Sequence, residues 1–450
     1  MELNQKVYLI NISRNLNQVQ MNIGLAVLIN ALKLNDVEVE YIDLIPIAIE
    51  ERDSFFQNKL SKNPAIYGFG IIMGNNHLGE TERYAKKILD VNPNNVIIYG
   101  GPLPSAIPEI VLKNCICNYV VKGEGESSFP KLVKSLLNGD FYPSEIPGLC
   151  YKKDGKIILS PNAMIRKLDK YSKPDYSKFD MEFYINYLKE TDQSFELMAS
   201  RGCAYNCSFC YKVCGQGISI RDLDDVLDEI EEIMLKYNIQ KFYFVDENFF
   251  AVKRFFREFV NKKQARRLDF TFIVQTRIDS LDKELCILAR DNGLTCISTA
   301  IESASQETLN KVNKRTKIKD IENKIELLRE LGIRMTTEFI IGFPWDTIEG
   351  YNELIEFIKR NKLEGTFKLS YLTPLPGTKL YEEVLNKGLI ENEFKYLNGL
   401  GDIYWERVIN LTNLPDTVLD YYYNKIALIG KRHVVYPKDS KYLNQIKEIH

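Results

Sequence analysis

Arg201-Gly202-Cys203-Ala204-Tyr205-Asn206-Cys207-Ser208-Phe209-Cys210 is the stretch around which the rest of the chain can be ordered. It sets three cysteines at a C-x3-C-x2-C spacing, directly after an apolar run at 196–200 that reads as a β-strand. Further apolar runs near 241–245, 269–275, 296–301, 335–341 and 367–372 alternate with segments of helical periodicity near 222–237, 250–264, 281–292, 317–331 and 350–362. Short buried runs alternating with 3.6-residue periodicity are the pattern of strand–helix units that build a parallel sheet. About six units are too few for a closed eightfold barrel. They predict an open, partial (β/α)6 barrel over 196–390, with functional side chains at the C-terminal ends of its strands.

Upstream, the same alternation covers 1–140. Strands are expected at 7–12, 37–42, 65–72, 96–99 and 119–122, with helices at 23–34 and 80–89. The fold class is therefore α/β: an N-terminal doubly wound parallel sheet, Rossmann-like, ahead of the partial barrel. Such sheets bind ligands beyond the carboxyl ends of their strands. Those ends carry Gly74-Asn75-Asn76, Gly100-Gly101-Pro102 and Gly123-Glu124-Gly125-Glu126. Glycine there admits close approach of a ligand, although βα turns also need glycine for their own geometry. Residues 141–195 read as a connector broken by Pro143, Pro147, Pro161 and Pro174, with a hairpin around Asp154-Gly155. Residues 391–450 form a small C-terminal region, expected to be helical.

Bulk composition narrows the partners. The 450 residues carry 59 basic and 61 acidic side chains, a net charge of −2, so no basic face for nucleic acid is expected. The longest apolar stretch, Ala65 to Met73, is too short to span a bilayer and is broken by Gly68 and Gly70. The polar Met1 to Lys6 does not read as a secretory signal, which predicts a cytoplasmic protein. Three histidines, His77, His433 and His450, leave little room for a site built from imidazoles. Nine cysteines, three of them within eight residues, point to metal rather than to a disulfide framework.

Cuboidal iron–sulfur clusters are held by thiolates, usually four. Cys203, Cys207 and Cys210 would leave one iron of a [4Fe–4S] cluster without a protein ligand and therefore open to a substrate. Half of a zinc site is the competing reading. Zinc would want a fourth close ligand, and Cys286 and Cys296 are not spaced to supply one. Cys214 reads as a loop cysteine, because a fourth thiolate would close the open iron; a fourth ligand or a substrate-carrying thiol are the alternatives. Cys115, Cys117, Cys150, Cys286 and Cys296 lie on apolar patterns and read as packing residues. Phe242-Tyr243-Phe244 and Phe249-Phe250 read as core.

A C-x3-C-x2-C loop after the first barrel strand resembles the radical S-adenosylmethionine superfamily. The resemblance extends over about 190 residues, through Phe244-Val245-Asp246-Glu247-Asn248-Phe249, Gln275-Thr276-Arg277-Ile278-Asp279, Ala300-Ile301-Glu302-Ser303-Ala304-Ser305, Phe339-Ile340-Ile341-Gly342-Phe343-Pro344 and Pro374-Leu375-Pro376-Gly377-Thr378. It implies that S-adenosylmethionine chelates the open iron and is cleaved to a 5′-deoxyadenosyl radical. Arg277 would pair with the methionine carboxylate, Asp246 or Glu247 would receive the ammonium, and Glu302 with Ser303 would face the ribose. An acid at a strand end is also often only a helix N-cap.

The N-terminal domain resembles the cobalamin-binding domain of the cobalamin-dependent radical enzymes. This resemblance rests on Gly100-Gly101-Pro102-Leu103-Pro104-Ser105 and Tyr119-Val120-Val121-Lys122-Gly123-Glu124-Gly125-Glu126. It implies a cobalamin site at Gly100, Gly101, Gly123 and Glu124, with Gly100 and Gly101 against the nucleotide tail. Many cobalamin proteins carry D-x-H-x-x-G after the first strand. Asn11-Ile12-Ser13-Arg14-Asn15-Leu16 has no histidine, so none is expected on the lower face of cobalt.

The function implied is cobalamin-dependent radical methylation of an unactivated carbon. The substrate would be a small molecule, lipid or peptide, and the electron donor a flavodoxin or ferredoxin. Radical cyclisation without methyl transfer, or an N-terminal domain that binds a protein or peptide instead of cobalamin, are the alternatives.

Overall fold

Val7–Asn11 (β1) is buried along its whole length, as a strand covered on both faces must be. It lies between Val39–Asp43 (β2) and Ile66–Gly70 (β3), followed by Val96–Gly100 (β4) and Tyr119–Val121 (β5), all parallel. The hairpin Leu149–Lys153 (β6) and Lys156–Ile158 (β7) turns at Asp154 and Gly155, both at positive φ, as the Asp-Gly pair predicts. This hairpin, expected within the connector 141–195, adds to the N-terminal sheet, because β6 pairs antiparallel with β5. The order is β2-β1-β3-β4-β5-β6-β7, so the chain switches direction between β1 and β3. In this computed structural model the described residues are 6–12, 19–163, 168, 170–212, 214–402 and 405–430.

The second sheet contains Phe195–Leu197 (β8), Lys241–Phe244 (β11), Thr271–Gln275 (β12), Leu294–Ser298 (β13), Arg334–Ile341 (β14) and Phe367–Tyr371 (β15). They run parallel in the order β15-β14-β13-β12-β11-β8, an open six-stranded barrel. Between β8 and β11 a separate antiparallel pair, Ser200–Arg201 (β9) and Ser219–Ile220 (β10), closes the base of the cysteine loop.

One hydrophobic core runs through both sheets, from Leu9, Leu25 and Phe129 to Phe195, Phe242 and Phe256. The helix Met181–Glu190 helps join them: Tyr184 donates from its hydroxyl to Asp43 at 2.7 Å, across 141 residues. The phenylalanines of 242–272 pack edge to face inside the barrel wall rather than lining a cage. Cys115, Cys117, Cys150, Cys286 and Cys296 are buried within these layers. Near the other barrel edge, the helix Asp416–Ile429 packs on β15, stacking Tyr423 on Tyr371 at 4.1 Å. The C-terminal segment beyond 430, with His433 and His450, lies outside the described residues, as does Ser13 to Leu16.

Candidate cofactor sites

The cysteine loop is tied down from several directions. Ser208 N donates to Val312 O at 3.0 Å, Leu380 N donates to Ser208 O at 3.0 Å, and Asn313 Nδ2 donates to Asn206 O at 2.8 Å. Gly202 N donates to Glu247 Oε2 at 2.9 Å. The loop therefore presents Cys203, Cys207 and Cys210 in the wall of a cavity of about 190 Å³ at the C-terminal ends of the barrel strands.

Solvent in this cavity reaches Cys210, yet the protein atoms around it push its thiol up to about 11, with Cys207, Glu302 and Cys203 adding repulsion. The three cysteines thus line one cavity close enough for their charges to interact. Among the described residues no three His, Cys, Asp or Glu side chains converge on a single-ion site. A cuboidal cluster does not need that, since each thiolate binds a different iron. Three soft donors around one cavity fit such a cluster.

Arg277 and Glu302 line the same cavity. Arg277 stacks on the Tyr205 ring, with 3.6 Å from guanidinium carbon to ring centroid, and is bidentate to Asp279 at 2.9 and 3.0 Å. Its Nη2 also donates to Lys314 O, and its Nη1 points to Cys207 Sγ at 3.7 Å. Asn248 secures this strand end by accepting from Thr276, Arg277 N and Ser280. Glu302 has φ +71 and is stitched to β14 by hydrogen bonds to Glu338 O and from Ile340 N. Its carboxylate takes a buried salt bridge from Lys314 at 2.8 Å. Lys314 also lines the cavity, and nothing in the sequence marks it, because its partner lies twelve residues away on another element.

Two expected contacts fall elsewhere. Glu247 lines the cavity, whereas Asp246 is fully buried beneath the loop, accepting from Ala199 N at 3.1 Å and from the Ser200 hydroxyl. Burial pushes its carboxyl up to about 7. Ser303 is absent from the cavity wall and accepts from Ser305 N at 3.1 Å, a local turn contact.

A second cavity, of about 320 Å³, opens at the C-terminal ends of β1, β3, β4 and β5, at the switch point of the N-terminal sheet. Gly100, Gly101, Gly123 and Glu124 line it, between apolar walls that include Leu25, Leu28 and Ile72. The reason for glycine differs from the one expected. A Cβ on Gly101 would meet Ile71 N and O at 2.8 Å, and one on Gly123 would meet Ala163 O at 2.4 Å. Both have φ near +90°, so neighbouring backbone alone already demands glycine there. Gly100 is different: the nearest atom to its Cβ is Val121 O at 3.5 Å, so a side chain would occupy the cradle itself. That open floor fits an inserted group such as a nucleotide tail. His77 is buried at the start of helix His77–Val91, away from this lining.

The two cavities are neighbours. Cys214 lines both, and Met198, Arg201 and Val245 of the barrel line the second. Burial pushes the Cys214 thiol up to about 12, with Glu124 adding to the shift.

Residues 197–358 match the radical SAM superfamily and residues 12–133 match the B12-binding domain. An uncharacterized methyltransferase of Pyrococcus horikoshii is 28% identical over 311 residues, covering 68% of this chain and 66% of that protein. The anaerobic magnesium-protoporphyrin IX monomethyl ester cyclase of Rubrivivax gelatinosus is 28% identical over 366 residues, covering 80% and 65%. The aligned regions thus span just under two thirds of the length of these relatives. The radical S-adenosylmethionine methyltransferase TsrM of Kitasatospora setae, solved with tryptophan and an S-adenosylmethionine analogue, shares the fold. Its TM-score is 0.71 at 21% identity, over 85% of this chain and 76% of that one. No helix among the described residues is long and apolar enough to cross a membrane. A radical SAM domain implies a [4Fe–4S] cluster and S-adenosylmethionine, and a B12-binding domain implies cobalamin. With both domains in one polypeptide, the chain has the domain architecture of the cobalamin-dependent radical S-adenosylmethionine enzymes.

Proposed function

We propose that this chain is a methyltransferase acting on an unactivated carbon of a small-molecule, lipid or peptide substrate. The observation that carries the reading is that Cys214 lines both cavities, one walled by three thiols and the other opening at the switch point of the N-terminal sheet. When bound, the cluster with S-adenosylmethionine supplies a radical able to remove such a hydrogen, and cobalamin supplies the methyl group.

The chain's own residues hold and orient. Cys203, Cys207 and Cys210 ligate the cluster. Arg277 offers its Nη1 edge, since Asp279 and Lys314 O occupy the rest of the guanidinium. Glu302, paired with Lys314, accepts from ribose hydroxyls, and Glu247 faces the ammonium. Gly100 leaves room for the nucleotide tail of cobalamin, with Gly101, Gly123 and Glu124 shaping the rim. A one-electron donor such as a flavodoxin or ferredoxin completes the reaction, which suits a cytoplasmic setting.

Anaerobic reconstitution followed by iron and cobalt counts tests the reading. Iron near four per chain and stoichiometric cobalt are expected, at about four irons for one cuboidal cluster. A chain that assembles the cluster but takes up no cobalamin would overturn it. With a substrate in hand, product mass separates methyl transfer, which adds a methyl group, from cyclisation, which removes hydrogens.

A further inference from the structure

Arg201 directly precedes Gly202-Cys203, and it is clamped from the other domain. Its Nη1 donates to Glu124 Oε1 at 3.0 Å and to Glu126 Oε1, both from the loop that follows β5. The three side chains are 11%, 3% and 5% exposed. Arg201 Nε also faces Met198 Sδ at 3.2 Å. Its neighbours are fixed independently, Ser200 on Asp246 and Gly202 on Glu247. Two carboxylates that share one guanidinium out of water repel each other once that guanidinium is removed. The cation therefore ties the cluster loop to the 123–126 loop.

We propose that Arg201 is a positioning residue that locks the cysteine loop to the rim of the second cavity and so sets the separation of the groups bound in the two cavities. The inference rests on the reading of both cavities as cofactor sites. It adds that their spacing is set by a buried ion triad rather than by the shared apolar core alone.

Two measurements on the full chain test it. In the protein without cofactors, hydrogen–deuterium exchange should rise roughly tenfold or more in both 121–128 and 201–217 of Arg201→Met, the scale of breaking a buried pair. Exchange in β3 and β12 should stay at the wild-type rate, and Arg201→Lys should restore protection in part. A change spread over the whole molecule, or none at all, would refute the lock.

In the loaded protein, the magnetic coupling between cob(II)alamin and the reduced cluster reports their separation. It should be sharp in the wild type and broadened or lost in Glu124→Gln/Arg201→Met/Glu126→Gln. That triple variant removes all three charges of the triad together, so it is expected to fold even where Arg201→Met does not. An unchanged coupling in it overturns the proposal. Failure of the wild type to bind cobalamin would instead overturn the functional reading, and the exchange experiment would still decide the lock.

Discussion

Replacing Asp246 by Asn should change how the stability of the chain without cofactors responds to pH. Asp246 is fully buried below the cysteine loop, and burial raises its carboxyl from 3.8 to about 7. Between those values the folded chain holds a proton that the unfolded chain has released. Stability therefore falls as pH rises through about 7. The whole shift is worth about 4 kcal/mol, of which about 2 kcal/mol is lost between roughly pH 5.5 and 8.5. Asn resembles the protonated carboxyl: its oxygen can accept from Ala199 N and its amide can donate to the Ser200 hydroxyl. Asp246→Asn should thus keep its low-pH stability at high pH, and the wild type should fall behind it by about 2 kcal/mol over that range. Urea unfolding of the two proteins at both pH values, followed by circular dichroism, gives the difference directly. Parallel curves would refute the argument, because they would mean that Asp246 carries no extra proton in the fold. Loss of S-adenosylmethionine binding with iron content intact would instead place Asp246 at the ligand.

Cys203→Ala, Cys207→Ala and Cys210→Ala should each reduce iron to background on anaerobic reconstitution, whereas Cys214→Ala should retain it; loss in the last alone would reassign the ligands. Lys314→Met leaves Glu302 buried without its cation and should cost about 3–5 kcal/mol in urea unfolding. A cost below about 1 kcal/mol would show that water reaches the pair. Gly101→Ala should destabilise the N-terminal domain by at least about 1–3 kcal/mol, because its backbone is left-handed and its Cβ would meet Ile71. Gly100→Ala should melt within a few degrees of wild type and still bind cobalamin more weakly; unimpaired binding would move the ligand off that floor.

The parts of this molecule that were legible in the chain are those coded within one turn or one strand. The three clustered cysteines sit inside eight residues, and the six barrel strands begin and end within a few residues of the runs that marked them. The parts that were not legible depend on partners brought in by tertiary structure. Lys314 reaches Glu302 from beyond the short helix Gln306–Lys311, and Arg201 finds its acids 75 and 77 residues upstream. Asp246 and Glu247 are adjacent and chemically alike, yet the turn after β11 sends one under the loop and the other into the cavity. No composition or spacing separates them; the direction of a single Cα–Cβ bond does. The glycines make the same point in reverse. Gly100 and Gly101 look equivalent in the sequence, but Gly101 answers to the Ile71 backbone while Gly100 answers to an open cavity. Conservation of either would look the same in an alignment, so only substitution at both, read for stability and for ligand separately, tells a backbone requirement from a binding one.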